Sequence, residues 1–344
     1  MPTFLTPQQF LTTGAEVLVD VRSPGEFGQG HWPGAQNLPL FSDEERAEVG
    51  TLYKQTSPDA ALLRGLEIAG SKMRWYVEES RRLASNQILT IHCWRGGQRS
   101  QSVAWLLEKA GAQVQVIEGG YKALRQAGRK HLTEDERPWI VLHGPTGSGK
   151  TKLLHQLRDQ GAAILDLEGM ARHKGSAFGD LGEAEQPTTE HFENLLLRAY
   201  AQLPPEQPVW VENESKTIGT VYLPQVLQDR MQLAKLVQLD MPLTWRVEQL
   251  VADYAKFPIA DLHQAFEKIR KRLGGQYVQQ AQRALAAGNF AEAATIGLQY
   301  YDKAYRFSLE RRTIPPAFQL QPETNDFRVI TRQLLAWQRK TFPQ

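Results

Sequence analysis

Cys93 is the only cysteine in the 344 residues, and the residue types that follow it are those that activate a thiol. Residues 91–100 read Ile-His-Cys-Trp-Arg-Gly-Gly-Gln-Arg-Ser, between an apolar strand-like run and an amphipathic helical pattern. Gly96 and Gly97 allow backbone N–H groups to point into this turn, and Arg99 adds a positive charge at the helix start. Such a nest favours the thiolate and binds an oxyanion at the sulfur. We therefore interpret Cys93 and Arg99 as catalytic rather than as core and surface residues.

A second chemical signal lies at residues 144–151, which read Gly-Pro-Thr-Gly-Ser-Gly-Lys-Thr. An apolar strand pattern precedes this run and a helical pattern follows it, which is the setting of a phosphate-binding P-loop. Lys150 would contact the terminal phosphate of a diphosphate-type group, and the Thr151 hydroxyl would bind Mg²⁺. The predicted phosphate-binding residues are Gly144, Gly147, Ser148, Gly149, Lys150 and Thr151.

Carboxylates end two predicted strands near this loop in the sequence. Asp166 ends the strand at 163–166, and Glu212 and Glu214 follow the apolar run at 209–211. Each of the three either holds a metal through water or caps its strand. The loop at 172–179 is basic and contains glycine, so His173 and Lys174 either clamp a second anionic group or belong to a solvated turn.

The predicted strands alternate with helices along the chain, which indicates open, mostly parallel α/β sheets with ligands at the carboxyl ends of the strands. Residues 131–138 are polar and end in proline, which predicts a linker. The expected domains are therefore 4–132 and 133–344. Residues 250–305 mix apolar and charged side chains at helical spacing, so the second domain is predicted to carry a helical C-terminal extension with little catalytic content.

The composition limits the chemistry and the partners. One cysteine allows no disulfide within the chain and no Cys-rich zinc site, and any atom carried on Cys93 must pass to an outside acceptor. We expect a cytoplasmic protein without a membrane association, because no signal peptide and no run of membrane-spanning length is evident. Residues 256–344 contain 14 Lys and Arg against 7 Asp and Glu. This surplus favours an anionic partner such as RNA, or it marks a solvated helical face.

Several motifs of the first domain resemble the rhodanese family. They are Asp20-Val-Arg22, Glu26-Phe27, the Gly-His-Trp-Pro-Gly-Ala run at 30–35, the Cys93 loop and the Glu-Gly-Gly-Tyr run at 118–121. The resemblance implies a rhodanese-like α/β domain whose thiolate accepts a chalcogen atom and passes it on. It also implies that Asp20 and Arg22 brace the active-site loop by ion pairing, although a simple strand-end salt bridge would look the same.

One departure from that family concerns the length of the loop. Common sulfur-transferring rhodaneses have four residues between Cys and Arg, whereas five separate Cys93 from Arg99. A Cys-x5-Arg loop resembles that of rhodanese-fold phosphatases, which hold the larger phosphate tetrahedron. The extra residue argues against thiosulfate and favours a donor that contains phosphorus or a larger chalcogen.

With both domains considered, the chain closely resembles the tRNA 2-selenouridine synthases over nearly its whole length. The resemblance rests on the loop Cys-Trp-Arg-Gly-Gly-Gln-Arg-Ser, the Gly-x4-Gly-Lys-Thr run, the Glu-Asn-Glu-Ser run at 212–215 and the Gly-Ser-Ala-Phe-Gly run at 175–179. It implies an enzyme that replaces the sulfur of wobble 2-thiouridine in tRNA by selenium through an S-geranyl intermediate. The implied substrates are geranyl diphosphate and selenophosphate, with no permanently bound cofactor, and a selenophosphate-supplying enzyme is an expected partner.

This resemblance also implies how the two loops divide the work. The Lys150 loop would hold the diphosphate of the prenyl donor, with Mg²⁺ at Thr151. Cys93 would attack the selenium of selenophosphate and carry it, while phosphate departs from the nest. Trp94 and Arg95 would support the displaced wobble base, or Trp94 would simply pack. Two alternatives stay open, an ATP-dependent tRNA sulfurtransferase and a Cys-x5-Arg phosphatase with a nucleotide-binding regulatory domain.

Overall fold

The computed structural model describes residues 2–84, 87–310 and 315–343, and the chain divides into two compact units. The first unit comprises the chain up to Asp135 together with Glu190–Gln202, and the second comprises Glu136–Thr189 and the chain from Leu203 onward. The segment Glu190–Gln202 thus belongs to the first unit, although in the sequence it lies between two stretches of the second. The predicted ranges, 4–132 and 133–344, contain no such return of the chain. Residues 311–314 of the basic C-terminal quarter lie outside the described residues.

The first unit is built on a five-stranded parallel sheet in the order β1-β5-β4-β2-β3. Val19, Ile91 and Val116 stand opposite one another on its central strands and are fully buried, as expected for a parallel sheet covered on both faces. The predicted α/β class is confirmed. The elements are β1 Thr3–Leu5, α1 Pro7–Thr13, β2 Val17–Asp20, α2 Pro24–Gln29, β3 Gln36–Asn37, α3 Asp43–Gln55, α4 Pro58–Leu83, β4 Leu89–His92, α5 Gln98–Lys109, β5 Val114–Ile117 and α6 Gly120–Glu134.

The linker predicted at 131–138 is partly wrong, because α6 continues to Glu134. Leu124 and Leu132 on its apolar face are fully buried, so packing sustains the helix through a polar stretch of sequence. Within the predicted linker, only residues 135–138 lack regular structure.

The second unit contains another five-stranded parallel sheet, in the order β12-β11-β6-β8-β7. Because the chain continues from β6 to strands on both sides of it, the carboxyl end of β6 is a topological switch point, where α/β sheets bind ligands. A short antiparallel hairpin lies outside this sheet. The elements are β6 Trp139–His143, α7 Lys150–Asp159, β7 Ala163–Leu165, α8 Leu167–Ala171, β8 Val209–Glu212, β9 Thr217–Ile218, β10 Val221–Tyr222, α10 Gln225–Leu233 and β11 Lys235–Leu239. Helix α9 Thr189–Ala201 lies between α8 and β8 in the sequence but belongs, from Glu190 onward, to the first unit.

The predicted helical C-terminal extension is present, interrupted by one strand that the sequence pattern did not reveal. Four of its helices share an apolar core that includes Leu262, Phe266, Val278, Leu285 and Ile296. No helix in the described part of the chain is long and apolar enough to cross a membrane. The elements are α11 Leu243–Tyr254, α12 Ile259–Lys268, α13 Arg270–Leu273, α14 Gly275–Ala286, α15 Phe290–Glu310, β12 Phe318–Leu320 and α16 Phe327–Thr341.

Candidate functional sites

Cys93 lies directly after β4, in the strand-to-helix turn that the sequence predicts. The N-terminus of α6 holds this turn, because the Tyr121 N–H donates to the Cys93 carbonyl at 2.9 Å. Gly96 and Gly120 both have left-handed φ angles, of 64° and 63°. A Cβ on Gly120 would lie 2.4 Å from both the Cys93 carbonyl oxygen and the Gly96 nitrogen. Only glycine therefore permits this close approach of two backbone segments.

The Cys93 side chain is buried, with the residue 3% exposed and packed in the core of the first unit. Its sulfur lies 3.3 Å from Ser100 Oγ, and that hydroxyl is also 3.2 Å from the Gly97 carbonyl. Ser100 can therefore donate to the sulfur or to the carbonyl. Burial of this degree is shared by inert structural cysteines, so the reactivity of Cys93 stays a prediction.

Arg99 lies in the first turn of α5, where its Nη1 is 2.7 Å from Glu26 Oε2. Burial raises the pKa of Glu26, but the hydrogen bond and charge of Arg99, together with the Ser23 N–H and the Arg46 charge, hold this pKa below its usual value. Glu26 is therefore ionised, which makes the nest less positive than its sequence implies. An ionised carboxylate also cannot serve as the proton donor that the phosphatase alternative requires. We did not select Glu26 as a site residue, although its place in a Ser23–Glu26 capping box is readable from the sequence.

Asp20 and Arg22 form the predicted ion pair at 2.6 Å, and both are fully buried. The Arg22 guanidinium also lies 3.8 Å above the centre of the Tyr121 ring. The pair thus supports the Cys93 turn through Tyr121, the residue whose N–H holds that turn. Trp94 lies at the same place, with its ring 5.6 Å from that of Tyr121, whereas Arg95 is exposed.

Helix α9 adds a layer behind Tyr121 that no motif in the sequence indicates. Asn194 Nδ2 donates to Tyr121 Oη at 2.7 Å and to the His31 carbonyl at 2.8 Å, and Tyr121 Oη is 2.8 Å from Glu190 Oε1. Arg125 forms ion pairs with Glu190 and with another glutamate of α9. Asn194 thus contacts Tyr121, and Tyr121 contacts both Arg22 and the Cys93 turn.

Asn194→Ala should destabilise the first unit by about 1–3 kcal/mol, because it removes two hydrogen bonds made inside the protein. We expect the thermal unfolding midpoint of the full chain to fall by several degrees. Gln202→Ala, which alters an exposed side chain just after the same helix, is the control and should leave the midpoint unchanged. Equal midpoints for the two variants would mean that α9 does not support this site.

The Gly144–Thr151 run joins β6 to α7, which confirms the predicted strand, loop and helix. Gly147 and Gly149 have φ angles of 80° and 74°. A Cβ on Gly147 would lie 2.9 Å from the Arg246 carbonyl, and one on Gly149 would lie 2.4 Å from the Phe327 ring, so both positions require glycine. Lys150 Nζ donates back to the Gly144 carbonyl at 3.1 Å, which folds its side chain over the loop. Ser148 is fully buried within the loop.

Thr151 contacts a carboxylate that we did not select from the sequence. Its hydroxyl oxygen is 2.7 Å from Glu168 Oε2 and 3.3 Å from Glu212 Oε2. The predicted Asp166 instead caps α8, accepting from the Gly169 N–H at 2.8 Å, and it lies 2.7 Å from His155 Nε2. The reason is that β7 ends at Leu165 and α8 begins at Leu167. Asp166 is therefore the N-cap of α8, and Glu168 in the first turn of the helix lies near Thr151.

These carboxylates lie close enough to oppose one another's ionisation. Burial, followed by the neighbouring carboxylates, raises the pKa of Glu212 well above its usual value. Burial likewise raises the pKa of Glu168, and burial with the Glu168 charge raises that of Glu214 to about 8. A Cβ on Gly175 would lie 3.0 Å from both Glu168 Oε1 and Glu214 Oε2, so the cluster closes against the 172–179 loop.

The donor set suits a hard cation that arrives with a phosphate ligand. Among the described residues, no group of three or more His, Cys, Asp or Glu side chains is placed to hold a metal by itself. Mg²⁺ commonly takes one or two carboxylates and completes its shell with phosphate oxygens and water. The Thr151 hydroxyl with the Glu168 and Glu212 carboxylates fits that requirement.

The loop opens into a cavity of about 720 Å³ within the second unit. Its polar lining includes Lys150, His173, Lys174 and Glu214, with Lys174 Nζ 3.2 Å from Glu183 Oε1. Its other walls come from helices of residues 250–305, to which we assigned little catalytic content. The sequence pattern did not indicate that these helices form part of a cavity wall, and their catalytic content stays a prediction. The apolar lining includes Leu250, Tyr254, Leu262, Phe266, Leu285, Ala294, Gly297 and Leu298.

Comparison with known proteins settles the family. Residues 8–127 match the rhodanese-like domain family, and residues 137–328 match the tRNA 2-selenouridine synthase AAA domain family. A tRNA 2-selenouridine synthase from Nitrosomonas europaea is 34% identical over an alignment that covers 88% of this chain and 91% of the relative. The chain belongs to the tRNA 2-selenouridine synthase family. The predicted membership is thus confirmed, and one chain contains both the rhodanese-like region and the region that matches the AAA domain family.

Solved structures resemble part of this chain. The N-terminal domain of a protein described as ATP/GTP-binding, from Clostridium difficile 630, is 36% identical, with a TM-score of 0.34, and the match covers 36% of this chain and 97% of that one. A Rhodopseudomonas palustris protein described as a possible tyrosine phosphatase is 24% identical, with a TM-score of 0.24, over 37% of this chain and 82% of that one.

Proposed function

We propose that this enzyme replaces the sulfur of wobble 2-thiouridine in tRNA by selenium in two stages, first S-geranylation and then exchange of the geranylated sulfur for selenium. The Gly144–Thr151 loop serves the first stage and Cys93 the second. The observation that carries the proposal is that the phosphate-binding loop shares one cavity with an apolar helical wall. A prenyl diphosphate joins an anionic head directly to an aliphatic tail, whereas ATP has a polar ribose between its triphosphate and its adenine.

In the first stage, the thiocarbonyl sulfur of the uracil attacks C1 of geranyl diphosphate. The C1–O bond breaks, the C–S bond forms, N3 of the base loses its proton to water, and diphosphate departs. Lys150 and the backbone N–H groups of the loop stabilise the charge that develops on the leaving diphosphate. Thr151, Glu168 and Glu212 would hold Mg²⁺, which supplies further neutralisation of that charge when bound.

In the second stage, hydroselenide attacks C2 of the geranylated base and expels geranylthiolate. This exchange is balanced in electrons, because selenium enters and sulfur leaves at the same formal oxidation state. Hydroselenide must first be freed from selenophosphate, and we assign that step to Cys93. The enzyme that makes selenophosphate is the natural supplier, and the basic C-terminal quarter is the expected contact for tRNA.

The family resemblance implies that Cys93 attacks selenium, but the electrons favour attack on phosphorus. Thiolate attack on selenium would leave phosphorus with an extra electron pair, so phosphite rather than phosphate would be released. Thiolate attack on phosphorus instead breaks the P–Se bond, releases hydroselenide and forms an S-phosphocysteine that water hydrolyses to phosphate. Five residues between Cys93 and Arg99 give a loop of the length that holds phosphate, which supports attack on phosphorus.

Mass spectrometry of tRNA nucleosides tests the assignment as a whole. Cells that lack the protein should contain 2-thiouridine but no 2-selenouridine at the wobble position, and the wild-type chain should restore it. Unaltered 2-selenouridine in the deleted strain would overturn the proposed function.

A further inference from the structure

We infer that helix α15 sets the length of the prenyl chain that the cavity accepts. The diphosphate end of the substrate would lie at Tyr305 and the end of the isoprenoid at Gly297. The inference rests on the proposed use of a prenyl diphosphate and goes beyond it, since it assigns the site that selects chain length. The ligand class is a ten-carbon isoprenoid diphosphate, and the selecting residues are Gly297 and its neighbour Phe266.

The C-terminal half of α15 is fixed to the phosphate-binding loop. Arg246 of α11 is buried, donates to the Thr146 carbonyl at 2.9 Å and forms an ion pair with Asp302 of α15. The Tyr305 ring stacks on that of His143, the last residue of β6, at a centroid distance of 4.6 Å. This end of the helix therefore lies beside the diphosphate-binding groups.

The other end of the cavity wall on α15 is apolar and small. Ala293, Ala294, Gly297 and Leu298 line the cavity, opposite Leu262 and Phe266 of α12 and Leu285 of α14. Gly297 and Tyr305 are eight residues apart, which at 1.5 Å per residue is about 12 Å along the helix. This span matches an extended chain of two isoprene units attached to a diphosphate.

Gly297 is the residue whose presence the fold itself does not require. It lies inside a helix without a left-handed φ, where glycine costs roughly 0.5–1 kcal/mol relative to alanine. A Cβ there would meet Phe266 Cε1 at 3.4 Å, which is ordinary van der Waals contact. Since neither backbone geometry nor crowding excludes alanine, the missing side chain serves the cavity by leaving space beside Phe266.

The loop at 172–179 completes this end of the chamber. Phe178 packs edge-on against Phe266 at 5.1 Å between ring centroids, and the Ala177 N–H donates to Tyr301 Oη of α15 at 3.2 Å. The loop that brings Lys174 to the polar lining thus also brings an aromatic ring against the apolar wall. Head and tail of one ligand are therefore enclosed by the same segment.

Binding of three ligands to the full chain tests the inference. We expect Gly297→Leu to weaken geranyl diphosphate at least 10-fold, because even one displaced methylene in an apolar pocket costs about 10- to 200-fold. Dimethylallyl diphosphate, which lacks the second isoprene unit, and inorganic diphosphate should change less than 3-fold. Ala291→Leu makes the same kind of enlargement on an exposed position of α15 that does not line the cavity, and it should change none of the three affinities.

Each other result contradicts the inference in a recognisable way. Unchanged geranyl diphosphate affinity in Gly297→Leu, or equal weakening of all three ligands, would show that Gly297 does not select the chain. If Gly297→Leu shows no cooperative thermal unfolding transition, Gly297→Ala replaces it in the test. Its methyl group fits beside Phe266 and should still lower the affinity for geranyl diphosphate selectively. Wild-type protein that binds geranyl diphosphate no more tightly than inorganic diphosphate would instead refute the proposed function itself.

Discussion

Cys93→Ser should still form S-geranyl-2-thiouridine in tRNA but incorporate no selenium. The hydroxyl of serine is a far weaker nucleophile than a thiolate at neutral pH, so release of selenium from selenophosphate should fall below detection. We assign geranylation to the second unit, so we expect it to continue. The measurement is mass spectrometry of the tRNA nucleosides after reaction with geranyl diphosphate and selenophosphate, with the geranylated nucleoside expected to accumulate.

Two outcomes would contradict this division of labour. Equal loss of both steps would mean that Cys93 supports the whole protein, and retained selenium incorporation would make it an ordinary buried residue. Ser100→Ala is a graded comparison, because it removes the hydroxyl 3.3 Å from the sulfur and should slow selenium incorporation without stopping it. In the wild type, ³¹P NMR should detect phosphate, whereas phosphite would show that the thiolate attacks selenium.

Lys150→Ala should weaken geranyl diphosphate binding by about 1.5–3 kcal/mol, the typical contribution of a hydrogen bond to a charged group. This corresponds to a Kd that is roughly 10- to 150-fold higher. In the structure, Lys150 Nζ has the Gly144 carbonyl as its hydrogen-bond acceptor at 3.1 Å, so the ammonium is close to where the diphosphate would lie. Isothermal titration calorimetry with geranyl diphosphate and with ATP measures the effect.

Arg158→Ala is the control for that experiment. It removes a positive charge further along α7, at an exposed side chain that does not line the cavity. We expect a change in Kd of less than 3-fold. Lost ATP affinity with unchanged geranyl diphosphate affinity in Lys150→Ala would instead favour the ATP-dependent sulfurtransferase.

The sequence by itself determined both loops, because each depends on local chemistry. A thiol before two glycines and an arginine, and a lysine and threonine after a glycine-rich turn, act through backbone groups within a few residues. The strands before both loops were predicted correctly for the same reason, since short apolar runs bounded by glycines are local signals. The family resemblance followed from these motifs.

Only the tertiary structure decided which distant side chains meet at each site. Glu26 contacts Arg99, and Asn194 contacts Tyr121, each across 73 residues of sequence, through side-chain contacts that leave no periodic pattern in the sequence. Glu168, rather than Asp166, lies beside Thr151, because α8 begins at Leu167 and takes Asp166 as its N-cap. The apolar wall of the cavity depended on how α12, α14 and α15 pack, since helical spacing shows that a face is apolar but not which ligand or core it will cover.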